Sequence, residues 1–257
     1  MEIVINQFLI FLLVLIRIAS FFVVVPIFSY RAIPNRVKIG LAFFLAIPAS
    51  FSAGGIAINS LGFFIPLVIK EILVGLAIGL IAHILFSAIQ VAGGFIDFQM
   101  GFALANVIDP QTGAQVPIMG QYLYMFSILF LLATDGHHLL LDGIFYSYQF
   151  IPLDQLALGF GEAGTIEMVA KVFLAMFAIA FQISIPIVGS IFLIDIALGI
   201  LARTVPQLNI FVVGFPVKIL SGFILLIVVI GSMVYSVKNL FELLLFAMRD
   251  LMKLLGQ

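Results

Sequence analysis

Long apolar runs separated by short polar connections dominate this chain. About 20 consecutive apolar residues let a helix cross a hydrocarbon core of about 30 Å, where every backbone N–H and C=O must find its partner within the segment. Runs of this kind cover Ile3–Phe28, Ile39–Ile58, Ile72–Ile96, Val116–Ala133, Ile166–Ile194 and Ile210–Tyr235, with a shorter seventh piece at Leu139–Ile151. None alternates with a period of two, which excludes the strands of a membrane barrel. The pattern predicts an all-α, polytopic membrane protein forming one domain over residues 1–257. The first run has no Lys or Arg before it and is too long for a cleaved leader, so it is expected to be a membrane helix of the mature protein.

Composition agrees. Of 257 residues, 64% are hydrophobic and 9% charged, and mean hydropathy is +1.34. A soluble domain carries about 25% charged residues to wet its surface. This surface must instead face lipid or other protein chains. Eleven Lys and Arg against 12 Asp and Glu give a net charge of −1, which offers no electrostatic footprint for nucleic acid. Cysteine is absent, so disulfides and thiolate metal sites are excluded. Without Trp, interfacial anchoring falls to Tyr, Lys and Arg.

Several segments are broken by proline, among them at Pro48, Pro66, Pro186 and Pro216, and Gly75 and Gly79 lie four apart. Proline removes a backbone donor and predicts kinks, whereas glycines at i and i+4 let two helix backbones approach closely. Ordinary packing of membrane helices accounts for both, and helices broken around a transport pathway are the alternative. Residues 238–257 differ in kind. At about 100° per residue, Lys238, Glu242, Arg249 and Lys253 share a sector of about 60°, with Asp250 beside it and Leu, Phe and Met filling the rest. That predicts an amphipathic C-terminal helix lying at an interface or against a partner.

Charge gives conflicting orientations. Arg31, Arg36 and Lys38 mark the connection after the first run as cytoplasmic, and Lys238, Arg249 and Lys253 mark the tail likewise. The two share a side only if an even number of crossings separates them, and six spans give five. Either Leu139–Ile151 also crosses, or some segments are hairpins. The stretch with Asp154, Glu162 and Glu167 suits the outer side.

Charged residues within apolar runs are costly unless paired or wetted. Arg17, Lys70, Glu71, Asp97, Asp135, Asp195 and Lys218 are such positions. Pairing between helices of an assembly is the favoured reading over an ion relay. On a helix, Asp135, His138 and Asp142 would share a face at a spacing a metal or an acid–base pair could use. A helix start capped by Asp135 explains the same residues better. No nucleophile set or phosphate-cradling loop is present, and the chain is expected to be a non-enzyme without metal or cofactor. Asp109-Pro110 followed by Gly113 predicts a tight turn in a polar loop that lacks Lys and Arg, flanked by Gly101 and Gly113 as hinges.

Three segments together resemble one family. Arg31-Ala-Ile-Pro-Asn-Arg-Val-Lys-Ile-Gly-Leu-Ala42, Gly101-Phe through Asp109-Pro-Gln-Thr-Gly113, and Arg203-Thr-Val-Pro-Gln-Leu-Asn-Ile-Phe-Val-Val-Gly-Phe-Pro-Val-Lys218 are similar to the FliR/SctT family of flagellar type III export-gate proteins, in the family's order and over nearly the whole chain. The resemblance implies a FliP-like part joined to a FliQ-like part, with helices bent into hairpins. It implies a non-catalytic gate subunit in the bacterial inner membrane at the flagellar basal body. Its partners would be FliP-like and FliQ-like subunits, FlhB-like and FlhA-like export proteins, membrane lipid and the exported flagellar subunits. It also implies that Asp109, Pro110, Gln111, Thr112, Gly113, Ala114 and Gln115 form a plug closing the pore. Arg31, Pro34, Arg36, Arg203, Pro206, Gln207, Asn209, Phe211, Gly214, Pro216 and Lys218 would pack against neighbouring subunits. The alternatives are the equivalent subunit of a virulence injectisome, a secondary transporter, which would be favoured by internal repeats that the sequence does not show, and a membrane enzyme built on Asp135, His138 and Asp142.

Overall fold

The computed structural model describes residues 2–30, 32–52, 61–102, 117–156, 158–207 and 209–256. Among them the chain forms helices and no strand: α1 (Glu2–Val24), α2 (Asn35–Ser52), α3 (Leu61–Met100), α4 (Ile118–Ala133), α5 (Gly136–Phe150), α6 (Ala163–Thr204) and α7 (Ile210–Leu255), with one 3-10 turn at Gly159–Gly161. The all-α polytopic architecture is as expected. Four helices are long and apolar enough to cross a membrane, and the bent pair α4 and α5 adds a fifth if it counts as one span. Within the described residues α2 is not among them, and the remainder of the expected run Ile39–Ile58 lies outside those residues.

Local chemistry sets the ends. Pro26 biases the residue before it away from the α region, so α1 stops at Val24 rather than Phe28, and Ile27 takes a positive φ of 73° in the turn that follows. The carbonyl of Pro34 accepts the N–H groups of Val37 and Lys38, which starts α2. Asp135 precedes α5, as expected, but it does so through a left-handed backbone, φ 55°, and its side chain makes no capping hydrogen bond. The expected side-chain cap is therefore replaced by a backbone turn in which the Asp135 carbonyl accepts the His138 N–H.

The apolar runs underestimated three helices. α3, α6 and α7 extend through Lys, Arg, Asp and Glu at their ends to 40, 42 and 46 residues. Charge lowers hydropathy without breaking a helix, and Pro66, Pro186 and Pro216 lie inside these three helices without ending them. Residues 238–255 are accordingly not a separate helix but the last turns of α7. Their predicted division by face is present: Lys238, Glu242, Arg249 and Lys253 are exposed or half-exposed, and Leu240, Leu244, Met248, Leu251 and Leu255 are buried. The cover for that apolar face comes from the chain itself, since the Met248 methyl lies 2.8 Å from where a Cβ on Gly143 of α5 would stand.

The chain divides into two compact units, the first made of Met1–Leu85, Leu131–Phe173 and Glu242–Gln257, the second of Phe86–Phe130 and Leu174–Phe241. In the first, α1 and α2 pair through an edge-on contact of Phe11 with Phe43. Gly75 and Gly79 bring α3 onto α1, the close approach their spacing predicts. A Cβ on Gly75 would overlap the Ser20 hydroxyl and the Arg17 carbonyl, and one on Gly79 would stand 3.1 Å from the Phe21 carbonyl oxygen. In the second unit, Gly93 of α3 meets the backbone of Gly120 in α4. Beside them the Asp97 carboxylate accepts the N–H groups of Met119 and Gly120, at 3.0–3.5 Å. The first N–H groups of a helix have no partner within it, so this acid on α3 caps α4. Stacked rings of Phe86 with Phe241 and of Phe95 with Phe181 add to the contacts between these helices.

Candidate functional site

The second unit contains a groove of about 550 Å³ between the end of α3, the Asp195–Gly199 stretch of α6 and the start of α7. Gly101 ends α3 at φ 91°, a value that L side chains rarely adopt. A Cβ there would also stand 2.5 Å from the Phe215 ring, so the position requires glycine twice over. Asp195 forms an ion pair with Lys218 and accepts a hydrogen bond of 2.9 Å from the Gln99 amide. Both partners of the ion pair remain partly exposed, 33% and 23%. A partly wetted pair of this kind contributes little to stability, and it stands where a third group could join it.

This groove gathers part of the third matched segment. Phe211, Gly214 and Lys218 line it, and Gly214 is small enough for Leu198 to pack against it. Arg203 sits in the last turn of α6, Pro206 and Gln207 in the exposed connection, and Pro216 inside the continuous α7. Asn209 acts locally, because its side-chain oxygen accepts the N–H groups of Phe211 and Val212, at 3.1 and 3.4 Å, which caps α7. Asn before an apolar run was the legible signal for that cap. Pro34 and Arg36 belong to the first unit and are exposed. Arg31 and the expected plug residues Asp109, Pro110, Gln111, Thr112, Gly113, Ala114 and Gln115 lie outside the described residues.

The first unit holds the most heavily buried charges. Arg17 and Glu71 are fully buried and Lys70 nearly so. The Arg17 guanidinium grips both oxygens of Glu71. It also donates to the Ser147 hydroxyl at 3.0 Å and to the Ile151 carbonyl at 2.9 Å, and its carbon lies 4.2 Å from the centre of the Tyr148 ring. Lys70 pairs with Glu71 at 2.6 Å and donates to the carbonyls of Pro152 and Leu153 at 2.9 and 3.1 Å. Two cations share one carboxylate, and backbone carbonyls supply the remaining acceptors. The expected pairing of charges between helices is present here, but its partners come from this chain. A relay needs a group free to exchange protons along a wetted path; here each charge is held by several fixed partners, which fits a clamp joining α1, α3 and α5.

At the start of α5 the metal-ligating atoms of Asp135, His137 and His138 lie within 4.8 Å of one another, whereas Asp142, the third member of the set weighed from sequence, is not among them. Asp135 and His138 are exposed and His137 is half-buried, and the positive end of the α5 dipole disfavours a cation at this place. A polar helix start accounts for the cluster.

Comparison with known proteins decides the relationship. The family of bacterial export proteins, family 1, matches residues 8–244. The chain belongs to this export-protein family. Among family 1 relatives, it is 52% identical to flagellar biosynthetic protein FliR of Bacillus subtilis over 100% of this chain and 99% of that protein. It is 30% identical to the Escherichia coli protein of the same name over 81% of this chain and 79% of that protein. The corresponding Pectobacterium carotovorum protein is 33% identical over 80% and 78%. The expected FliR relationship is thereby established. Family 1 is a family of export proteins and not of enzymes.

Proposed function

We propose that the chain is a non-catalytic subunit of a flagellar type III export gate in the bacterial inner membrane. It assembles with FliP-like and FliQ-like subunits, beside FlhB-like and FlhA-like proteins, into a pore for unfolded flagellar subunits. Similarity along its whole length to a protein named for flagellar biosynthesis supports the flagellar assignment. In this reading the second-unit groove, with Phe211, Gly214 and Lys218, meets a neighbouring subunit, and residues 109–115 close the pore.

One observation carries the assembly part: the apolar surface of α6 and α7. In each, 17% of the most apolar stretch is buried within the chain, against 61% in α3. At about 1.5 Å per residue these helices run about 63 and 69 Å, twice a hydrocarbon core of about 30 Å. Glu167, Lys171 and Lys238, exposed, and Glu242 beside them mark where each would leave hydrocarbon. Large apolar side chains nevertheless stay exposed on both sides of those charges, from Ile166 to Leu201 and from Phe211 to Phe246. Lipid covers the middle of such a surface but not its ends, which supports burial of those ends against other subunits.

Deleting the gene tests the function. The expected result is a strain without flagellar filaments that retains flagellin in the cytoplasm, restored by the wild-type gene. A deletion strain that swims and exports flagellin normally would overturn the flagellar reading, and loss of effector secretion alone would move the chain to an injectisome.

A further inference from the structure

The first unit has a second groove, of about 490 Å³, formed by α1, the start of α2 and α3. Its rim is polar, with Asn35 and Lys38, and its walls are apolar, with Ile16, Val23, Ile39 and Ile72. Ser20 also borders it, but its hydroxyl is engaged by the carbonyls of Ile16 and Arg17. We propose that this groove binds one anionic phospholipid, its phosphate held by the Lys38 ammonium and the Asn35 amide and one acyl chain lying along the apolar wall.

Three observations converge on that occupant. Lys38 borders the groove and, among the described residues, has no ion-pair partner. No carboxylate stands among the described residues lining the groove, and α2 carries no acid in its first turn. A cation in these surroundings is complementary to an anion. The wall beside it is uncovered, with Val23 64%, Ile39 59% and Ile72 37% exposed. A free aqueous anion would satisfy Lys38 and leave that wall in water, whereas a phospholipid brings an anionic phosphate and hydrocarbon together. Finally, the positive charges Arg31, Arg36 and Lys38 mark this end of the first helix as cytoplasmic by the positive-inside rule, the side whose leaflet carries anionic lipid. The groove volume lies within the roughly 300–1,000 Å³ of ordinary ligand sites.

The test uses the full chain, purified in mild detergent with whatever subunits accompany it. Bound lipid is read by native mass spectrometry during titration with phosphatidylglycerol or with phosphatidylcholine of the same acyl chains. Phosphatidylglycerol is expected to bind preferentially. Lys38→Gln should weaken its retention about tenfold, the loss of one charge-assisted hydrogen bond, while Lys38→Arg keeps most of it. Asn35→Ala should cause a smaller loss in the same direction. Helix content and thermal midpoint should stay unchanged in all three variants. Equal binding of the two lipids, or an unaffected Lys38→Gln chain, would overturn the proposal. So would displacement by glycerol phosphate as effective as by whole lipid, which would assign the rim to a soluble anion. An intact complex that retains no phosphatidylglycerol because a partner covers the groove would also overturn it.

Discussion

Glu71→Ala is expected to remove most of the folded chain from the membrane. The substitution deletes the one carboxylate shared by Arg17 and Lys70 and leaves two cations in a site with almost no access to water. Breaking a buried pair by removing one partner costs about 3–5 kcal/mol, a large part of a typical total stability of roughly 5–15 kcal/mol. The damage comes from the stranded charges, so removing those as well should repair it. A triple variant with Arg17→Met, Lys70→Met and Glu71→Leu is expected to recover much of the folded yield. Yield and thermal midpoint of the detergent-extracted chain measure both. A Glu71→Ala chain as stable as the wild type would mean that the clamp contributes nothing.

Gly75→Leu should be nearly as damaging, for a steric reason. Even a Cβ there would run into the Arg17 carbonyl and the Ser20 hydroxyl on α1, and a backbone cannot step aside as a flexible side chain can. Overpacking costs about 1–3 kcal/mol where side chains yield, and the upper end or more is expected here. Gly79→Leu should cost less, because its Cβ would stand 3.1 Å from the nearest α1 atom, and Gly40→Leu, with nothing within 4 Å, should leave the thermal midpoint unchanged. Pushing α1 off α3 also separates Arg17 from Glu71. The double variant Gly75→Leu/Glu71→Ala is therefore expected to be less destabilised than the sum of its parts. Equal midpoints for the Gly75 and Gly40 variants would contradict this packing.

Much of this was legible because it is local. The apolar runs located the helices, Pro26 explains the end of α1, and the spacing of Gly75 and Gly79 announced a close contact. Hydropathy could not find the far ends of α6 and α7, because the charges that lower it are good helix residues. Nor could local pattern name partners. Arg17 meets Glu71 across 54 positions and Ser147 across 130, and Asp97 caps a helix other than its own, a pairing that only tertiary structure creates. The candidate groove was half visible. Its third-segment residues carried the family resemblance, while Gln99 and the pairing of Asp195 with Lys218 had no local signal. Asn209, read from the resemblance as a packing residue, also caps α7.

If the uncovered apolar surfaces of α6 and α7 belong to an assembly, as proposed, partners must stay with the chain when the membrane is dissolved. The most direct measurement is purification of the tagged full chain from its own membranes in mild detergent, with identification of everything that accompanies it. The expected result is FliP-like and FliQ-like subunits in fixed ratio to the tagged chain, resistant to repeated washing. Recovery of the chain alone, folded and with α6 and α7 covered only by detergent and lipid, would contradict the proposal.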